Sequence, residues 1–210
     1  MANPANSAAP MIYIVDDDEA LRSALGSLLR SVGMQVQAFA SAAAFLQRAT
    51  IDAPSCLLLD VRLQGISGLD FQAELLKSGS TMPVILMTGH GDIPMSVRAM
   101  KAGAVDFLTK PFREQDLLDA VGVALDKDRK SRESRQATSG LAARYASLTP
   151  RESEVMKLAA SGLLNKQIAG QLGTSEITVK IHRGNAMKKM QAKSFADLVR
   201  MVQALEPPSS

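Results

Sequence analysis

Three consecutive carboxylates, Asp16, Asp17 and Asp18, follow the apolar run that ends at Val15, and a fourth, Asp60, follows Cys56-Leu57-Leu58-Leu59. Carboxylates gathered at one place repel. They stay together by holding protons or by taking up a cation, and an all-oxygen set with room for water suits Mg2+ better than zinc or copper. Thr88 closes the run Val84-Ile85-Leu86-Met87, 28 residues after Asp60, and Lys110 stands before Pro111, 22 residues after Thr88. A carboxylate that attacks a phosphoryl group needs its like charge screened, which a divalent cation and an ammonium do, while a hydroxyl holds another phosphoryl oxygen. Asp16, Asp17, Asp60, Thr88 and Lys110 therefore form a candidate phosphoryl site. Asp18 alone reads as a turn or helix cap.

For these residues to meet, the elements before them must end at one edge. Met11-Ile12-Tyr13-Ile14-Val15, Met34 to Phe39, Cys56 to Leu59, Val84 to Met87 and Val105 to Leu108 read as strands. Between them lie amphipathic stretches: Leu21, Leu25, Leu28, Leu29 and Val32 repeat at helical spacing with Gly33 as a stop, and Ser41 and Asp92 read as N-caps. Five βα repeats predict a doubly wound, five-stranded parallel sheet, with functional groups outside the carboxyl ends of its strands.

The chain has 210 residues, 46% of them hydrophobic, enough for two small domains. Its net charge of +3 hides an asymmetry: residues 1–125 hold 9 Lys/Arg against 13 Asp/Glu, and residues 149–210 hold 9 against 5. The acidic part suits cation chemistry and the basic part a polyanion. No apolar block marks a signal or a membrane span, so a cytoplasmic protein with no membrane partner is expected. The single cysteine, Cys56, lies in an apolar run and reads as a core thiol.

The expected organisation is a disordered N-terminus over 1–10, a first domain over 11–125, a charged helical linker over 126–147, an all-α domain over 148–205 and a tail over 206–210. Thr149-Pro150-Arg151-Glu152 reads as a capping box with Pro at the first helical position. Asn165 is expected to cap the next helix and Gly173 to permit the turn after it, a helix-turn-helix hairpin. In the following helix, Ile177, Ile181, Met187 and Met190 form the expected apolar side. Thr178, Lys180, His182, Arg183, Asn185, Lys188 and Lys189 supply donors, and the Val179 methyls suit contact with thymine.

The first domain closely resembles two-component receiver domains through Asp16-Asp17, Asp60, Thr88 and Lys110-Pro111. The resemblance implies a flavodoxin-like fold and phosphorylation of Asp60 by a cognate sensor histidine kinase. It also implies Mg2+ held by Asp17, Asp60 and the carbonyl of Arg62, with Asp16 ordering its waters, a cis Lys110-Pro111 bond, and a switch through Thr88 and Phe107. Leu63-Gln64-Gly65 departs from the common Met-Pro-Gly. The second domain resembles the LuxR type through Leu148-Thr149, Arg151-Glu152, Asn165-Lys166, Ile168-Ala169, Leu172, Thr178-Val179-Lys180 and His182.

Together the two halves look like the FixJ subgroup of response regulators. That likeness implies a transcription factor, not an enzyme beyond self-phosphotransfer and self-dephosphorylation. It would dimerise when phosphorylated, through the fourth helix and fifth strand (Met95, Arg98, Met100, Lys101), and pair on DNA through its final helix. Its partners would be double-stranded promoter DNA, contacted by Thr178, Val179, Lys180, His182, Arg183 and Lys188, and RNA polymerase. Two alternatives stay open: a regulator that works without phosphorylation, and a haloacid-dehalogenase-type phosphatase, which Asp16-Asp17-Asp18 loosely resembles although Glu19-Ala20 follows.

Overall fold

The computed structural model describes residues 9–89 and 93–205. The cap expected at Asp92, most of the expected disordered N-terminus and the 206–210 tail lie outside these residues. The chain forms two compact units, 1–133 and 134–210.

The first unit alternates strands and helices: β1 (Met11–Val15), α1 (Glu19–Ser31), β2 (Gln35–Phe39), α2 (Ala42–Leu46), β3 (Ser55–Asp60), α3 (Gly68–Lys77), β4 (Val84–Thr88), α4 (Ile93–Lys101) and β5 (Asp106–Thr109). The five strands form one parallel sheet in the order β2-β1-β3-β4-β5. Every residue of β1, β3 and β4 is buried, which is why these strands are continuous apolar runs rather than alternating ones. Leu57 and Leu59 face a core with Tyr13, Phe45 and Phe71, while Cys56 and Leu58 face a second with Leu25, Leu29 and Val121. Strand order reverses between β1 and β3, so their carboxyl ends open a crevice, and Asp16 and Asp60 stand there. Asp18 caps α1, accepting the Leu21 N–H at 3.0 Å, and Ser41 caps α2.

Helix α5 (Glu114–Ala146) runs through Leu125, where the composition changes. The charges beyond that point are not all solvated. Asp128, buried, accepts the Ser55 N–H at 2.9 Å and the Arg132 Nε at 2.7 Å, and Arg132 reaches Asp52 at 2.6 Å. The carboxylate answers a backbone donor at the start of a central strand, which a reading by polarity alone cannot show.

The second unit holds α6 (Pro150–Ala160), α7 (Asn165–Leu172), α8 (Glu176–Met190) and α9 (Phe195–Leu205). Thr149 and Glu152 close the capping box at the start of α6, with bonds of 3.2 and 2.8 Å. Gly173 ends α7 in the left-handed region, at φ +61°, where a side chain would be strained. Asn165 is not the cap expected: Leu164 holds that position, its N–H bonded to Gln167 Oε1 at 2.8 Å. Val155, Ala159, Ile168 and Val179 form one part of the core, and Met156, Ala186, Met190 and Leu198 another.

Candidate functional site

At the carboxyl edge of the sheet the Lys110 ammonium lies 2.6 Å from Asp16 Oδ2 and 3.0 Å from Asp60 Oδ1. The other Asp16 oxygen accepts the Asp18 N–H at 2.9 Å, so both are engaged. Asp16, Asp60 and Thr88 are buried and Asp17 is exposed. Burial, with the charges of Asp16 and Asp17, pushes the Asp60 carboxyl above its ordinary value against the lowering effect of Lys110. Burial alone would lower Lys110, but its bonds to Asp16 and Asp60 outweigh that and hold the ammonium above its usual range.

Carboxylate oxygens of Asp16, Asp17 and Asp60 come within 4.8 Å of one another, a spacing that could hold a metal ion. An all-oxygen set with one exposed member fits a hard cation that keeps some of its water. Thr88 pairs with Thr109 across β4 and β5, and its carbonyl accepts the Lys110 N–H at 2.7 Å, which brings Thr88 and Lys110 to the same edge. The Lys110-Pro111 peptide is cis. Phe107 is half-buried against the core that holds Tyr13. Arg62 opens the loop after Asp60, where a single bridge to Ser67 folds the loop back on itself.

Gly68, which the sequence reading did not single out, fixes how this loop returns. A Cβ there would stand 2.2 Å from the Asp60 carbonyl oxygen, and the Gly68 N–H bonds the Val61 carbonyl at 2.9 Å. The start of α3 thus presses on the backbone of Asp60 as only glycine allows. The available signal was a glycine opening a helix, where propensity gives it no reason to be. On α4, Met95 turns partly inward, and Ile93, Val97 and Met100 are the exposed apolar residues.

Helix α8 corrects two expectations. Val179 is fully buried against Val155 and Ile168, so its methyls are not available to a base, while Ile177 and Ile181, expected inside, are 73% and 57% exposed. Both sets of residues fit a 3.6-residue repeat. The side that packs within the domain carries Val179, Ala186 and Met190. Lys180 and Lys188 are exposed, and Thr178 and His182 are half-buried, with the Thr178 hydroxyl 2.8 Å from the Ser175 hydroxyl. Arg183 lies 4.1 Å over the Phe195 ring and bonds Asn165 Oδ1 at 3.3 Å, which ties it to its own domain.

The family described as "Response regulator receiver domain" matches residues 12–122, and that described as "Bacterial regulatory proteins, luxR family" matches residues 146–202. The chain is a two-component response regulator of the FixJ subgroup. This response regulator is 55% identical over 199 residues to nodulation protein W of Bradyrhizobium diazoefficiens, covering 95% of the chain and 88% of that relative. It is 44% identical over 190 residues to the transcriptional regulatory protein FixJ of Azorhizobium caulinodans, covering 90% of each. The solved structure of the response regulator StyR matches with a TM-score of 0.86 at 46% identity, covering 93% of this chain and 99% of that one.

The receiver domain implies a histidine kinase as partner, and the LuxR-type domain implies DNA binding, so the response regulator is a transcription factor. Relatives named as response or transcriptional regulators match over nine tenths of the chain or more, and the phosphatase alternative falls with that assignment. Among the described residues no helix is long and apolar enough to cross a membrane.

Proposed function

We propose that Asp60 takes a phosphoryl group from the phosphohistidine of a sensor kinase, and that this promotes dimerisation and binding to paired promoter half-sites. One observation carries the reading: the Lys110 ammonium bridges Asp16 and Asp60 at the edge where three carboxylates converge. The Asp60 carboxylate oxygen attacks phosphorus as the phosphorus–nitrogen bond of the donor breaks. Lys110 pairs with charge on the transferred group, and the Thr88 hydroxyl donates to a phosphoryl oxygen. Asp17, Asp60 and the Arg62 carbonyl would hold Mg2+, with Asp16 ordering its waters, and the ion would supply screening of like charge. Thr88 and Phe107 relay the change to α4 and β5, where Ile93, Val97 and Met100 offer apolar surface for a second copy. Lys180 and Lys188, with His182 and Thr178, contact DNA, and RNA polymerase is the onward partner in the cytoplasm. The domain limits proposed are 11–125 and 148–205, joined by 126–147.

DNA affinity and sedimentation, measured with and without acetyl phosphate and Mg2+ at one salt concentration for the wild type and Asp60→Ala, test this. A dimer with tighter binding in the wild type alone is expected, because a second half-site is then engaged intramolecularly. Identical binding by both proteins with no change of mass would mean a regulator that works without phosphorylation.

A further inference from the structure

Ile177 and Ile181 stand one turn apart on the exposed side of α8, with the exposed Lys180 and Lys188 beside them. Gly184 continues the same face, since positions 177, 181 and 184 follow i, i+4 and i+7. Among the described residues a Cβ added at Gly184 meets nothing within 4 Å, so no described neighbour requires a glycine, and glycine inside a helix is less stable than alanine. Asn185 is exposed next to it. The face therefore carries two apolar ridges, a gap, an amide and two cations.

Resting on the reading of α8 as the helix that enters the major groove, we infer that Ile177 and Ile181 select DNA sequence by packing on the 5-methyl groups of thymines. Gly184 is the gap that lets the helix approach the bases closely. Each A·T pair shows a thymine methyl on one side of the major groove and the adenine N6/N7 pair on the other. The first suits isoleucine and the second suits the Asn185 amide. Lys180 and Lys188 favour a polyanion over an apolar protein groove as the occupant of this face. The predicted ligand is thus a half-site with A·T pairs at its centre.

Duplexes selected from a random library by the full-length protein, held at one salt concentration, provide the probe. Replacing single thymines with deoxyuridine removes only the methyl. In the wild type, one or two positions per half-site should lose about fourfold in affinity per methyl. The Ile177→Ala/Ile181→Ala protein should be indifferent to the same replacements and keep the wild-type salt slope. Gly184→Ala should raise the thermal midpoint of the second unit, by roughly 4–8 °C, while lowering affinity for the selected duplex about tenfold. A structural role alone would not move these two readouts in opposite directions. Tolerance of deoxyuridine at every position, equal losses in the double variant, or Gly184→Ala binding like the wild type would overturn the inference. Lys180→Ala/Lys188→Ala separates that failure from a deeper one: if its salt slope also stays unchanged, α8 is not the helix on DNA and both readings fall.

Discussion

Glu152 and Lys189 form an ion pair of 2.6 Å, and the same Glu152 oxygen accepts the Thr149 N–H at 2.8 Å. The carboxylate is buried, so one side chain both starts α6 and holds the last turn of α8. Glu152→Ala removes the cap acceptor and leaves Lys189 without this partner. We expect the second unit to lose about 1–3 kcal/mol in urea denaturation, with the transition of the receiver unchanged.

The same residue sets an acid limit. Lys189 first, and then the Thr149 N–H, hold the Glu152 carboxyl below its ordinary value of 4.5. A depressed folded value stabilises the protein above the unfolded one, and the benefit disappears as pH falls through the folded value. Melting of the second unit followed from pH 6 downward should therefore show a loss that begins near 4.5. Glu152→Gln should flatten that part of the profile, and a variant with the wild-type profile would exclude Glu152 as the source.

Gly68→Ala places a methyl where the Asp60 carbonyl oxygen stands 2.2 Å away, so the start of α3 or the Asp60 backbone must shift. The receiver should lose about 1–3 kcal/mol, the usual cost of forcing atoms into a packed site. Phosphorylation by acetyl phosphate, followed by intact mass, should slow as well. Wild-type stability and rate together would show that this close approach is dispensable.

Asp128→Ala leaves the Ser55 N–H without its acceptor and Arg132 without its buried partner. A buried donor left without its partner costs about 1–3 kcal/mol. The loss should appear in the receiver transition, and Asp128→Asn, which keeps an acceptor oxygen, should recover part of it.

Lys110→Met keeps a stem of four heavy atoms and removes the ammonium that bridges Asp16 and Asp60. Removing one electrostatic contact of this kind from a reacting centre costs about 10²–10³ in rate. Phosphoryl incorporation from acetyl phosphate and Mg2+ should fall by that order, with circular dichroism unchanged. Incorporation at the wild-type rate would take Lys110 out of the chemistry.

The sheet was legible because burial on both faces writes strands as unbroken apolar runs, and a charged or hydroxyl residue at the end of such a run, as at Asp60 and Thr88, stands out. Contacts between distant segments left no such mark. Gly68 is explained by a carbonyl eight residues earlier, and Asp128 by an N–H on β3. In α8 the sequence offers two apolar sides of equal period. Only the packing of Val179 and Ala186 decides that Ile177 and Ile181 face outward. Arg183 reads as a free cation until Phe195 is placed beneath it.

Cys56 is the chain's single thiol, buried in β3, and burial followed by the charge of Asp128 pushes its pKa up to about 12. Reaction with maleimides, iodoacetamides or disulfides proceeds through the thiolate, so the native protein offers these reagents almost nothing. A cysteine introduced at the exposed Val123 or Lys166 would be the one site they modify. The chain is thus a ready background for attaching a dye or spin label to either unit without first replacing a native residue.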